Sequence, residues 1–126
     1  MNKAEYLKKL DELQLDKAKY CILSGGAMMM HGLKEKTADI DIKVRPDYFE
    51  ELKDRLSFKK SPKFDYLWEL GDDVEVAVQE YDDKDVEMVD GYPVIKLELE
   101  LEWKIQHNRP KDKESIEILK KYLGYK

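Results

Sequence analysis

Residues 20–44 read YCILSGGAMMMHGLKEKTADIDIKV, and two short passages in them decide how the rest is read. Tyr20 to Leu23 is an apolar run halted at Ser24-Gly25-Gly26, the pattern of a buried strand ending in a tight turn. Ala27 to His31 then suits a short helix closed by Gly32. Asp39 to Val44 alternates strictly, with Asp39, Asp41 and Lys43 on one face and Ile40, Ile42 and Val44 on the other, which predicts a half-buried strand. Carboxylates at i and i+2 of a strand point the same way, their Cα atoms roughly 6.6 Å apart. They can therefore share a cation or a close pair of cations, and Mg²⁺ (or Mn²⁺) suits because it is hard and prefers oxygen. Glycines between a strand and a helix start let a phosphate come close to the backbone. A phosphate-accepting turn and a metal-binding strand are together the two halves of a nucleoside triphosphate site.

Working outward, Leu7, Leu10 and Leu13 mark one face of a helix over 3–13. Pro46 and Asp47 stop the acidic strand, Asp47 with Glu50 reads as an acidic capping box, and Phe49, Leu52 and Leu56 form the inner face of the helix that follows. Phe64–Leu70 and Val74–Val78 flank Gly71-Asp72-Asp73 and read as a hairpin, the second arm alternating Val74, Val76 and Val78 with Asp73, Glu75 and Ala77. Residues 81–90 read as an acidic loop and Tyr92–Ile95 as a short strand. Leu97–Trp103 fits strand or helix; Leu97, Leu101 and Ile105 on one face favour a helix. Asn108-Arg109-Pro110 breaks the chain before a last helix with Ile116, Leu119 and Leu123, ended by Gly124. Met28-Met29-Met30 reads as core filling and His31 as packing at a helix end, with Trp68 and Trp103 as core or interface residues.

A chain of 126 residues, 42% of them hydrophobic, is expected to form a single domain over 1–126. Its net charge of −5 argues against nucleic-acid binding through bulk positive charge. The charge is uneven, with 3 basic and 12 acidic side chains between residues 61 and 99. No apolar run approaches the roughly 20 residues of a membrane span, and Met1-Asn2-Lys3-Ala4-Glu5 lacks an apolar leader. The sole cysteine, Cys21, rules out a disulfide scaffold and a cysteine zinc cluster. A cytoplasmic protein is expected, with no membrane partner.

The order of apolar run, Gly25-Gly26, twelve residues, then Asp39-Ile40-Asp41-Ile42 resembles the signature of the DNA polymerase β-like nucleotidyltransferase superfamily. Ser24-Gly25-Gly26-Ala27, His31-Gly32-Leu33 and Lys36-Thr37-Ala38-Asp39-Ile40-Asp41 resemble small bacterial members related to the toxin nucleotidyltransferases of abortive-infection and type IV toxin–antitoxin systems. Lys104 with Arg109-Pro110-Lys111-Asp112 resembles their C-terminal Lys…Arg-x-Lys-Asp segment. The resemblance implies an α+β fold, a small mixed twisted sheet with helices mainly on one face. It implies that Asp39 and Asp41 hold Mg²⁺ or Mn²⁺, joined by a third carboxylate on the neighbouring strand, Glu75 or its rival Asp73. It implies nucleotide binding by Ser24, Gly25, Gly26, Lys36 and Thr37. Arg109 could bind phosphate with its planar fork, or could pair with Asp112 and fix the turn before the final helix.

The implied reaction moves a nucleoside monophosphate from a triphosphate to a hydroxyl of an RNA, a protein or a small molecule. So small a chain leaves acceptor recognition to a homodimer or a separate partner protein. The alternative is a catalytically silent protein of the same fold, acting as a regulatory or antitoxin-like partner.

Overall fold

A computed structural model describes residues 1–125. Helix α1 (Lys3–Glu12) starts at a reciprocal cap: the Asn2 side chain accepts from the Glu5 N–H at 2.9 Å and Glu5 accepts from the Asn2 N–H at 3.0 Å. Tyr6 and Leu10 are its buried residues. Strand β1 (Tyr20–Ile22) is buried at all three positions, as a strand with neighbours on both sides must be. Ser24-Gly25-Gly26 is not a turn, as expected, but the first turn of α2 (Ser24–Met30), and Ser24 takes a φ of 53° at the junction. Met28, Met29 and Met30 are buried, as their apolar run predicts.

Strand β2 (Ile40–Val44) buries Ile40, Ile42 and Val44 and leaves Asp41 and Lys43 half-buried, so the alternation is realised. In α3 (Pro46–Leu52) the N-cap is Arg45 with Pro46 next, and the expected Asp47–Glu50 box is absent: the Asp47 carboxylate accepts from the Tyr48 N–H instead. A two-residue strand β3 (Lys59–Lys60), not foreseen, pairs with β4 (Leu67–Leu70), which in turn pairs with β5 (Val74–Val78). The expected acidic loop over 81–90 is a 3₁₀ turn at Asp83–Asp85 and a strand, β6 (Val86–Val89). Asp90 and Gly91, with φ of 52° and 83°, make the two-residue turn into β7 (Tyr92–Ile95). Both central residues of such a turn need positive φ, and Asp-Gly supplies them. The ambiguous segment is a helix, α4 (Leu97–His107), ending at a left-handed Asn108. A 3₁₀ turn at Pro110–Asp112 leads into α5 (Lys113–Leu123), closed by Gly124.

The seven strands form one mixed sheet in the order β3-β4-β5-β2-β1-β7-β6. The β2–β5 and β1–β7 pairs are parallel; the other four are antiparallel. The fold is α+β, and β2 lies at its middle. Among the described residues no helix is long and apolar enough to cross a membrane.

Candidate active site

A cleft of about 550 Å³ opens beside the β1–α2 junction, and one wall of it is acidic. The parallel register sets Asp41 of β2 opposite Glu75 of β5, and Asp39 lies two residues before Asp41 on the same side. Burial, then the charges of Glu75 and Asp39, push the Asp41 carboxyl up to about 7. A set of carboxylate oxygens that repel one another is the donor chemistry a hard divalent cation takes. The residues therefore fit Mg²⁺ or Mn²⁺ in kind. They are not drawn around one point: among the described residues no three acidic, histidine or cysteine side chains stand ready to hold an ion, and Glu75 reaches Lys63 Nζ at 3.0 Å.

Asp73, the rival of Glu75, does not line the cleft; its carboxylate pairs with Lys9 and its carbonyl accepts from the Ile40 N–H at 2.7 Å. Of the two, Glu75 lines the cleft beside Asp41.

A chain of charges on α4 and the turn after it also lines the cleft; the sequence motif contains Lys104, Arg109 and Asp112, and Glu100 joins them. Glu100, 6% exposed, accepts from the Ser24 N–H at 2.7 Å and lies 3.9 Å from Lys104. Lys104, 4% exposed, lies 3.5 Å from Asp112, whose other oxygen accepts from Arg109 Nε at 2.7 Å. Burial pushes the Asp112 carboxyl up, but the Arg109 bond and the Lys104 charge outweigh it and hold it below the ordinary range. The inward stripe of α4 is thus Leu97, Glu100, Leu101 and Lys104, an i, i+3, i+4, i+7 set with an internal ion pair, while Ile105, expected inside, is 47% exposed. The Arg109 guanidinium also stacks 4.5 Å over the Trp103 ring; it lines the cleft and, as the second reading of it expected, pairs with Asp112.

The remaining predicted residues divide. Ser24, Gly25 and Thr37 line the cleft, and a Cβ on Gly25 would come within 2.5 Å of Thr37 Oγ1. Lys36 is exposed, bridges to Asn2 through the backbone and stands outside the lining, which Lys34 joins instead. Gly26 also stands outside the lining: it faces Tyr6, whose hydroxyl would lie 2.2 Å from a Cβ there and is buried without a partner. Gly26→Ser is therefore expected to lower stability by about 1–3 kcal/mol through overpacking, read as a lower denaturation midpoint at unchanged m-value. An unchanged midpoint would mean that Tyr6 can move aside. His31 caps the end of α2 and meets Glu87 at 3.1 Å, away from the cleft.

The sequence matches no protein-family model and no curated protein. Two solved structures resemble the chain along nearly its whole length. One, from Thermotoga maritima and described as a nucleotidyltransferase, has a TM-score of 0.65 at 21% identity, over 98% of this chain and 96% of its own. The other, ANT(2")-Ia in complex with adenylyl-2"-tobramycin, has a TM-score of 0.58 at 18% identity, over 94% and 85%. At such identities a likeness speaks for backbone architecture, and in that sense this chain is built on the nucleotidyltransferase fold.

Proposed function

We propose that the chain is a metal-dependent nucleotidyltransferase that moves a nucleoside monophosphate from a triphosphate to a hydroxyl acceptor. The observation that carries this reading is the acidic wall: Asp41 and Glu75 on paired central strands, with Asp39 just before the first of them, lining one cleft with Ser24 and Gly25. Asp39, Asp41 and Glu75 would hold Mg²⁺ or Mn²⁺, which when bound activates the attacking oxygen and offsets charge on the departing pyrophosphate. Gly25 leaves the backbone bare where the triphosphate comes closest. Thr37 shapes that floor, its hydroxyl donating to the Asp39 carbonyl at 3.4 Å. Arg109 and Lys111, also in the lining, would supply positive charge.

The likeness to a protein solved with an adenylylated tobramycin favours a small-molecule hydroxyl as acceptor, ahead of RNA or protein. We assign the donor no base preference. The test is thermal melting with Mg²⁺ or Mn²⁺, with and without each nucleoside triphosphate. Binding to the native state is expected to raise the midpoint, by about 2.7 kcal/mol of added stability at a hundredfold excess over Kd. A shift with metal and triphosphate but no pyrophosphate release with any acceptor would favour the catalytically silent alternative. No shift with any combination would overturn nucleotide binding.

A further inference from the structure

Lys63 lies between β3 and β4, on a segment that no motif marked. Its backbone is pinned on both sides. The Lys63 N–H donates to Ser61 Oγ at 3.2 Å, and Ser61 is only 2% exposed. Lys60 Nζ donates to the carbonyls of Ser61 at 2.9 Å and Phe64 at 2.6 Å, and the Phe64 ring meets Trp103 and His107 of α4 at 6.1 and 6.2 Å. From this fixed base the Lys63 side chain, 57% exposed, crosses to Glu75, 18% exposed, with Nζ to Oε1 at 3.0 Å. The charges of Asp39 and Asp41 act on the same ammonium. Lys63 therefore occupies the mouth of the acidic wall with a single charge on a flexible stem.

We propose that Lys63 is an exchangeable counter-ion, holding the acidic wall until a divalent cation binds there and then binding the polyphosphate of the incoming nucleotide. This rests on the nucleotidyltransferase reading above. An ion pair whose lysine is mostly solvated is weak, on the order of 0.2–1 kcal/mol, so a doubly charged ion displaces it readily. Four methylenes let the ammonium swing several ångströms while the pinned backbone stays put. A triphosphate carrying one divalent ion is still anionic and enters a cleft with an acidic wall; the freed ammonium stands where that repulsion needs an offset.

The proposal predicts effects of opposite sign on the two ligands, which a merely structural lysine would not produce. Mn²⁺ is titrated into the full chain and into Lys63→Met, Lys63→Arg and Lys59→Met, following free Mn²⁺ by electron paramagnetic resonance. A non-hydrolysable ATP analogue is then titrated at saturating Mn²⁺. Lys63→Met is expected to bind Mn²⁺ about twofold to fivefold tighter and the analogue weaker by a similar factor. Lys63→Arg should follow the unsubstituted chain, and Lys59→Met, which removes the same charge from nearby β3, should change neither. Mn²⁺ uptake with equal affinity in the unsubstituted chain and Lys63→Met overturns the Lys63 assignment alone, as do shifts of the same sign for both ligands. No Mn²⁺ uptake by any of the four overturns the metal-dependent reading and this assignment with it.

Discussion

Asp41→Asn is expected to melt several degrees above the unsubstituted chain at pH 8 in metal-free buffer, and to lose nucleotidyl transfer. In the folded chain the Asp41 carboxyl titrates at about 7, while an unfolded aspartate titrates near 3.9. Folding therefore favours the protonated form. That preference supports the fold fully below about pH 4 and is lost as pH rises through 7, because ionised Asp41 is then held half-buried beside Glu75 and Asp39. Asparagine keeps the neutral shape at every pH. Screening by water and by Lys63 reduces the full linkage value, leaving an expected gain of about 1–3 kcal/mol at pH 8. Calorimetry across pH 4–8 should show the two melting curves converging at the acid end. Transfer should fall by about 10²-fold or more if Asp41 holds the metal. A variant that melts lower at pH 8 would instead make Asp41 a structural residue.

Lys104→Met is expected to be the most damaging single change, at about 3–5 kcal/mol. Lys104 is the cation between Glu100 and Asp112, and all three are buried. Methionine matches the stem but leaves Glu100 without a cation and Asp112 with Arg109 alone. The α4–α5 contact and the Glu100 hold on the Ser24 N–H should loosen together. Adding Glu100→Gln should recover part of the loss, since the amide oxygen still accepts from Ser24 and no unpaired charge remains. Chemical denaturation of the single and double variants checks both statements. Additive losses would show that Glu100 and Lys104 act independently.

What could be read from the sequence is what short periodicities carry. Ile40-Asp41-Ile42-Lys43-Val44 has period two with opposite chemistries, so one face had to be core and Asp41 and Lys43 had to share the other. Glu75 on the polar face of its strand followed the same logic, but two long-range facts, the parallel register that sets it beside Asp41 and the Lys9 pair that holds Asp73 elsewhere, distinguish it from Asp73. The β6–β7 hairpin was missed although Asp90-Gly91 announces the turn, because the run of acids before it masked Val86 and Val89. The Glu100–Lys104 pair was missed for the opposite reason. Leu97, Leu101 and Ile105 give an acceptable helix face on their own, and nothing in the local pattern turns Glu100 and Lys104 into that face. Lys63 carried no local pattern; its meaning comes from tertiary placement. Gly26 was read for its missing side chain toward a ligand, whereas that absence makes room for Tyr6.

The position of β2, with hydrogen-bonded strands on both sides, separates two kinds of change that the chain can undergo over evolutionary time. Asp41 is borne on the ladder that holds the core together, so shifting its position means dismantling the fold. The exposed Lys63 side chain is borne on the segment between β3 and β4, outside that ladder, and can be exchanged at little structural cost. Divergence of such chains should therefore change the residues at the cleft mouth long before it changes where position 41 stands.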